Sequence, residues 1–285
     1  MILRRTFLGT GLLGIGLGAH ALGLAAFADP VITRYALTPK GWPPGLRLRI
    51  AVLADLHAGA PLMGLERVAR IVAAANALDA DMIVLLGDYG PVSRLVRQPY
   101  APEQVAPILA GLRAPLGVFA IAGNHDWWED KAAMERRSGR PEWLAALARH
   151  GITPLQNEAR RFAQGFWLAG LDSQRAFRGR GADDLPGTLA QVTDAAPILL
   201  LAHEPDIFAT LPDRVALTLC GHTHGGQVRL FGYSPAVPSR FGNRYAYGRI
   251  SEGGRDLIVS GGLGTSILPV RFGVPPEIVE VTLGA

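Results

Sequence analysis

Cysteine is nearly absent from this sequence. A single cysteine, Cys220, occurs among 285 residues. One thiol cannot form an intrachain disulfide, and a zinc site built from several cysteine thiolates is excluded for the same reason. Cys220 ends the apolar run VALTLC, where we expect it to be a small buried residue.

Lysine and excess charge are also scarce. Lys40 and Lys131 are the only lysines among 28 basic residues, and the formal net charge is +4. So mild a charge gives no reason to expect a nucleic-acid partner. Hydrophobic residues make up 49% of the chain and charged residues 18%, a composition typical of a globular protein with a substantial core.

No charged side chain occurs between Arg5 and Asp29. This stretch follows a basic start, contains six glycines and ends in the small-residue triplet Ala26-Phe27-Ala28, a pattern typical of a secretory signal cleaved after Ala28. RRTFL resembles the twin-arginine export pattern. An uncleaved anchor is the alternative, since about twenty apolar residues can cross a bilayer. Both predict a protein outside the cytoplasm, either in the periplasm or cell envelope or membrane-anchored and facing outward.

The sequence predicts three segments. Residues 1–28 form the signal peptide or signal anchor, 29–47 a lead-in with one edge strand, and 48–285 a single domain. In the first half, strands such as DMIVLLGD alternate with amphipathic helices such as GLERVARIVAAANAL. The second half is richer in strands, including PILLLAHEP and VALTLCGHTHGG. This pattern predicts an α/β fold in which two sheets pack together with helices outside.

Polar side chains recur where these strands end, and they include five of the seven histidines. Sites in open α/β sheets form at the carboxyl ends of strands. Residues i and i+2 of an extended chain point to the same side, so Asp55-x-His57 and His222-x-His224 can each face a common centre. A mixed oxygen and nitrogen set suits Mn, Fe or Zn better than Ca. The set is Asp55, His57, Asp88, Asn124, His125, Asp126, His203, His222 and His224.

The order of the motifs DLH, GD, GNHD, H and GHTH resembles the calcineurin-like metallophosphoesterases, across residues 48–284. The tail YAYGRI…LIVSGGLGTSILPVRFGVPPEI is similar to a bacterial exported or membrane-anchored subgroup. The resemblance implies a four-layer αββα sandwich of two mixed β-sheets flanked by helices. It also implies two divalent metal ions, Mn, Zn or Fe, and in-line attack on phosphorus by a metal-bound hydroxide.

The resemblance also implies residue roles. One metal would be held by Asp55, His57 and His224, and the other by Asn124, His203 and His222, with Asp88 bridging them. His125 would protonate the leaving oxygen or steady the phosphoryl charge, and Asp126 would orient its neighbours. One departure from the family pattern is GDYGP, where Pro91 replaces an acid that relatives often carry.

The substrate is the least determined feature. Trp127, Gly225 and Gln227 are candidate substrate contacts, although core packing or a plain turn would also explain them. A phosphodiester or pyrophosphate is favoured, in a phosphorylated small molecule or a lipid-linked substrate, with possible membrane association and no nucleic acid. A pyrophosphatase acting on UDP-2,3-diacylglucosamine is an alternative that the export signal disfavours. A non-catalytic, metal-stabilised cell-envelope protein and a metal-dependent amidohydrolase are alternatives of other classes. The sequence leaves the oligomeric state open.

Overall fold

The computed structural model describes residues 25–285, so most of the predicted signal segment lies outside the described residues. Two six-stranded sheets form the centre of this part of the chain. The first sheet runs in the order β1 (Val31–Leu37), β14 (Glu277–Leu283), β2 (Leu48–Leu53), β4 (Met82–Leu85), β6 (Val118–Ala120) and β7 (Thr153–Pro154). Strands β2, β4, β6 and β7 are parallel, and β14 is antiparallel to β2. The lead-in supplies β1 at the sheet edge, as expected.

The second sheet runs in the order β12 (Gly248–Glu252), β13 (Arg255–Val259), β11 (Val215–Cys220), β10 (Ile198–Leu201), β9 (Phe166–Gly170) and β8 (Glu158–Phe162). Its four central strands are parallel, and an antiparallel strand closes each edge. A small ribbon pairs β3 (Gly59–Ala60) with β5 (Gln98–Pro99). Cys220 is buried at the end of β11, as predicted.

Helices cover the outer faces of the sheets. The helices are α1 (Leu65–Asn76), α2 (Pro102–Leu109), α3 (Asn124–Trp128), α4 (Lys131–Arg136), α5 (Glu142–Arg149) and α6 (Leu185–Ala190). In α1 the buried residues Val68, Ile71, Val72 and Ala75 recur at helical spacing and pack on the first sheet. Among residues 25–285, no helix combines the length and the apolar character that a membrane span needs.

Alternation along the strands assigns side chains to three cores. Ile50 and Val52 face the second sheet and pack in one cluster with Leu217 and Leu219. Ala51, which alternates with them, faces the helices instead. A third cluster lies on the outer face of the second sheet. Helix, sheet, sheet and helix layers therefore follow one another, which confirms the predicted four-layer sandwich.

A buried arginine ties the start of the described chain to α1. The Arg67 guanidinium donates to the carbonyl oxygens of Ala26 and Leu62 through Nη1, at 2.9 and 2.8 Å, and to that of Ala28 through Nη2, at 2.6 Å. Ala26 is buried. The contact holds the predicted cleavage triplet against the folded domain.

Candidate metal centre

The carboxyl ends of strands from both sheets meet in one place. The backbone N–H of His222, after β11, donates to both carboxylate oxygens of Asp55, after β2, at 3.1 Å. His203, after β10, has its Nδ1 2.6 Å from the carbonyl oxygen of Leu86, after β4. Loops from the two sheets thus interlock, and the polar residues that end the strands lie within one buried region.

The chain is strained where these residues lie. Asp55, His57, Asp88, His222 and His224 all have positive φ, between 49° and 71°. Residues other than glycine adopt this left-handed conformation rarely, at a cost of about 1–3 kcal/mol each, and such strain concentrates at functional sites. Each strand ends in a sharp turn that aims a ligand-type side chain inward.

The first of two clusters consists of Asp55, His57 and His224, whose candidate ligand atoms lie within 4.8 Å of one another. His57 Nε2 is 3.2 Å from His224 Nε2, and the latter is 3.7 Å from Asp55 Oδ1. His57 Nδ1 lies 2.9 Å from the carbonyl oxygen of Gly90, so Nε2 is left to face the cluster.

The second cluster consists of Asp88, His203 and His222, again within 4.8 Å. His203 Nε2 is 3.3 Å from both Asp88 Oδ2 and His222 Nδ1. Asp88 Oδ2 is also 3.8 Å from His57 Nε2, so this carboxylate lies between the two clusters. Asn124 Oδ1 is buried nearby without a hydrogen-bond partner among the described residues.

Burial dominates the electrostatics of both clusters. It raises the pKa of Asp55 to about 7 and lowers that of His57 to about 4. It also holds the pKa of His222 and of His224 well below the ordinary value, which favours the neutral imidazole that binds metals. Burial opposes the charged form of Asp88 too, but the imidazoles of His203 and His125 outweigh it, and its pKa lies well below the usual range.

The donor set fits divalent metal ions. Two imidazole nitrogens 3.2 Å apart, as in His57 and His224, need a shared proton or a common cation between their lone pairs. The Asn124 amide oxygen, which has no hydrogen-bond partner among the described residues, and the buried carboxylates also require a proton or a cation as a partner. Each cluster could hold a metal ion, and the nitrogen and oxygen ligands are those preferred by Mn, Fe and Zn.

His125 and Asp126 occupy different positions although they are neighbours. The His125 ring lines the cavity over the clusters, 5.8 Å from the His57 ring and 4.9 Å from the Trp128 ring. Asp126 is buried and accepts the backbone N–H groups of Gly123, Asp88 and Tyr89 at 2.7–2.9 Å. Its carboxylate therefore fixes the Asp88 loop against the loop that carries Asn124.

Close packing explains two glycines of the motifs. A Cβ on Gly123 would lie 2.2 Å from Asp88 Oδ1, and one on Gly221 would lie 2.6 Å from Asp55 Oδ2. Either side chain would displace a carboxylate of the clusters. These glycines are needed for close approach of the backbone to the ligands.

Two of the three predicted substrate contacts do not reach the cavity. Trp127 is 1% exposed, and its indole N–H donates to Asp172 Oδ1 at 2.7 Å, so that prediction is wrong and the side chain belongs to the core. Gly225 is buried against Val274, at a turn with φ of +60°, and does not line the cavity either. Gln227 does line the cavity, while Trp128 rather than Trp127 forms part of its wall.

Arg175 is a residue that the sequence reasoning missed. It follows β9, and its guanidinium Nη1 lies 3.3 Å from His222 Nε2 and 3.4 Å from the carbonyl oxygen of Pro238. Its loop is held by the buried carboxylate of Glu204, which accepts the Ser173 hydroxyl at 2.6 Å and the Gln174 N–H at 2.9 Å. The sequence does contain an indication of Arg175, because the strand-like run FWLAGLDS also ends in polar residues and continues into Gln174 and Arg175.

A cavity of about 700 Å³ opens over the two clusters. Its lining combines polar residues, among them Asn124, His125 and Arg175, with apolar ones, among them Val237, Ile267 and Leu268. An αββα sandwich with paired carboxylate and imidazole clusters at its strand ends is the arrangement of a binuclear metallohydrolase.

Comparison with known proteins agrees with this class. Residues 48–226, well over half of the chain, match the calcineurin-like phosphoesterase family. The chain belongs to this family. Metallophosphoesterase YkuE of Bacillus subtilis is 32% identical over 98% of this chain and 97% of its own length. Phosphodiesterase YaeI of Escherichia coli is 30% identical over 82% of each chain. The transmembrane protein with metallophosphoesterase domain of Danio rerio is 31% identical over 83% of this chain and 53% of its own length.

Family membership and the two clusters support a metal-dependent hydrolase of phosphoric esters over the non-catalytic and amidohydrolase alternatives.

Proposed function

We propose that the protein is a binuclear phosphodiesterase or pyrophosphatase that acts outside the cytoplasm on a small-molecule or lipid-linked phosphoester. The observation that carries the proposal is the position of Asp88, whose Oδ2 is 3.3 Å from His203 in one cluster and 3.8 Å from His57 in the other. A carboxylate shared in this way can bridge two ions, the arrangement used by two-metal hydrolases.

The seven ligands divide between two ions in this proposal. Asp55, His57 and His224 would hold one ion, Asn124, His203 and His222 would hold the other, and Asp88 would contribute to both. When bound, such ions would supply Lewis acidity for phosphoryl oxygens and would favour an ionised water as the nucleophile. Asp126 keeps the loops of Asp88 and Asn124 together, which preserves the distance between the two halves of the site.

His125 acts on the leaving group. Its ring lines the cavity without being part of either cluster, and its Nδ1 lacks a hydrogen-bond partner among the described residues. A proton on this ring can pass to the departing oxygen, or stay and stabilise charge on the phosphoryl group. Arg175 offers the second positive charge and can bind a non-bridging oxygen beside His222.

A substrate with groups on both sides of phosphorus fits the cavity best. The polar lining residues can take an anionic or hydroxyl-rich group, and the apolar lining residues a hydrocarbon or aromatic one. YaeI is named a phosphodiesterase, which supports the same preference. Location outside the cytoplasm is supported by the two arginines and the small-residue triplet near the start of the sequence.

Metal dependence tests the proposal directly. The purified protein should hydrolyse bis(p-nitrophenyl) phosphate faster than p-nitrophenyl phosphate, lose activity on exhaustive chelation, and regain it with Mn or Zn. Metal analysis should find two ions per chain, and fewer in Asp88→Asn. Full activity in metal-free protein would refute the binuclear mechanism, and a preference for the monoester would refute the substrate class.

A further inference from the structure

Exposed apolar side chains concentrate beside the cavity. Among residues 25–285, six of the eight large hydrophobic side chains with high exposure lie on three loops. Contiguous apolar exposure of this kind marks an interaction surface. We call this surface the apolar crest, and it consists of Leu95, Leu230, Phe231, Tyr233, Ile267 and Leu268.

Hydrogen bonds join the three loops into one surface. The Gln227 side chain accepts the N–H of Ser266 at 2.7 Å and donates to the carbonyl oxygen of Leu268 at 3.0 Å. The N–H of Arg229 donates to the carbonyl oxygen of Phe272 at 2.8 Å. The Ser93 hydroxyl donates to the carbonyl oxygen of Ile267 at 3.0 Å, which brings the loop of Leu95 alongside.

The outermost positions of the crest are strained. Leu230 and Tyr233 exchange two backbone hydrogen bonds across a tight turn, with φ of 50° at Phe231 and 83° at Gly232. Positive φ at both central residues is the pattern of type I′ hairpins, which favour Asn and Gly and not an aromatic residue. Phe231 is 107% exposed, and Ile267, a β-branched residue at φ of 59°, is 66% exposed. Neither gains burial within the described chain that would offset this strain.

A buried arginine keeps the crest in place. The Arg271 side chain is fully buried and donates to the carbonyl oxygens of Gly261 at 2.8 Å and Val274 at 3.1 Å, and also to that of Gly264. It thereby braces both ends of the loop that carries Ile267 and Leu268. Their exposure is therefore a property of an ordered loop.

The segments that carry the crest contain arginines and no acidic residue. The segments 89–102, 227–251 and 257–276, which contain all six crest residues, have no aspartate or glutamate. Arg94, Arg97 and Arg229 lie in these segments, and none of them pairs with a carboxylate in the described part of the chain. An apolar tip on loops that carry arginines without a carboxylate partner complements the headgroup region of a membrane with anionic lipids.

We propose that the apolar crest docks the protein on an anionic phospholipid surface. Phe231 inserts among the headgroups, and the arginines bind lipid phosphates. Ile267 and Leu268 belong both to the crest and to the lining of the cavity over the clusters, so the cavity opens beside the docked surface. The substrate is then a lipid phosphoester at that surface, a conclusion that rests on the proposed phosphoesterase function.

Site-specific fluorescence tests the docking without any use of activity. Cys220 is fully buried at the end of β11, so a labelling reagent does not reach the native cysteine in the folded chain. Phe231→Cys is labelled with nitrobenzoxadiazole. The matched control is Val31→Cys, on the edge strand β1 and 45% exposed. Each is mixed with vesicles of phosphatidylcholine alone or with phosphatidylglycerol.

We expect a blue-shifted, brighter emission at position 231 with phosphatidylglycerol, weakened by high salt, and no change at position 31. No response at position 231, or the same response at both positions, would overturn the proposal. A shift at position 231 without vesicles that grows with protein concentration would also overturn it and identify a second copy as the partner.

Activity separates docking from chemistry. Phe231→Ser should hydrolyse bis(p-nitrophenyl) phosphate at the wild-type rate, because Phe231 does not line the cavity. It should hydrolyse hexadecyl p-nitrophenyl phosphate in anionic vesicles about tenfold more slowly. Equal rates on the vesicle substrate would refute the docking role. Failure of the unsubstituted protein on both substrates would refute the phosphoesterase function and leave the fluorescence result standing.

Discussion

Asn124 and His125 are adjacent in the chain, yet the first turn of α3 directs them differently. Asn124 is buried with a free amide oxygen, whereas the His125 ring lines the cavity. The backbone N–H of His125 donates to Asp88 Oδ1 at 2.9 Å and fixes the turn. A binding role and a chemical role can thus be tested separately at two consecutive positions.

His125→Ala should retain both metals and lose rate. A positioned general acid contributes about 10²- to 10⁴-fold with a poor leaving group, and less with nitrophenolate, which departs without a proton. Asn124→Ala is the matched variant and should lose metal. Metal analysis and kcat for alkyl and nitrophenyl diesters make the comparison. Equal losses with both leaving groups would assign His125 to charge stabilisation, and metal loss from His125→Ala would contradict the division of roles.

Arg175 should contribute to substrate binding without holding metal. A hydrogen bond to a charged group contributes about 1.5–3 kcal/mol, which corresponds to roughly 10- to 100-fold in kcat/KM for Arg175→Ala. Arg178→Ala is the control, because both guanidinium groups lie over the Trp128 ring, Arg175 at 5.8 Å and Arg178 at 5.0 Å, but Arg178 does not line the cavity over the clusters. Similar losses of kcat/KM in both variants would indicate that packing on the Trp128 ring matters and that the Arg175 charge does not.

Local sequence explains why some elements were predicted and others were not. Helices α1 and α5 carry apolar residues at helical spacing, and the central strands are continuous apolar runs. The edge strands β8 (EARRF) and β12 (GRISE) were not predicted, because they are charged and largely exposed and gain their pairing from a neighbour. Helix α2 contains Pro107, which obscured its pattern.

The candidate site was more predictable than its surroundings. Ligand residues follow the carboxyl ends of strands in both sheets, so the strand pattern already places them at ends where a site can form. Trp127 was misassigned because its partner, Asp172, lies 45 residues away and nothing local predicts that contact. Arg175 depends in the same way on a distant carboxylate, Glu204, that shapes its loop.

The β8–β9 edge depends on an ion pair whose pH response has a definite sign. Asp194 accepts the Trp167 indole N–H and the Arg161 guanidinium, each at 2.8 Å, and these bonds lower its pKa to about 2, from 3.8. Because the folded-state pKa is depressed, the contact stabilises fully above about pH 4 and is lost as the pH falls toward 2.

Asp194→Asn should therefore lower the Tm by about 1–3 °C at pH 7, a small change because the pair is exposed. The difference from wild type should shrink as the pH falls toward 2. The Tm is measured by thermal unfolding with chelator present, so that metal loss at low pH does not contribute to the difference. Asp213→Asn, at a more exposed carboxylate, is the control, and a difference that persists at low pH would contradict the assignment.

Each cluster takes ligands from both sheets, so metal binding connects the two halves of the sandwich. Asp55 and His57 follow β2 and Asp88 follows β4, in the first sheet, whereas His203, His222 and His224 follow strands of the second. Without cations, buried carboxylates and close imidazoles remain without a common positive charge. The whole molecule should therefore be less stable in that state.

Chelation should lower the Tm of the whole protein, and Mn or Zn should restore it. At a metal concentration 100 times the Kd, binding adds about 2.7 kcal/mol to the free energy of unfolding. Calorimetry with and without chelator checks this, with Asp88→Asn as the variant that should respond least. An unchanged Tm would show that the sheets hold together independently of metal.

The Arg67 contact bears on the predicted cleavage after Ala28, because it would set folding of the domain against proteolysis of the segment. A peptidase that cuts after Ala28 needs this segment extended and free, but Arg67 holds the carbonyl oxygens of Ala26 and Ala28 against the domain. In a chain exported already folded, the peptide bond after Ala28 would be protected until residues 26–28 detach from the domain. The protein would stay attached to the membrane through its N-terminal segment in the meantime. Arg67→Ala should speed the appearance of the shorter form in a pulse–chase experiment. Unchanged processing would mean that the Arg67 contact does not limit cleavage.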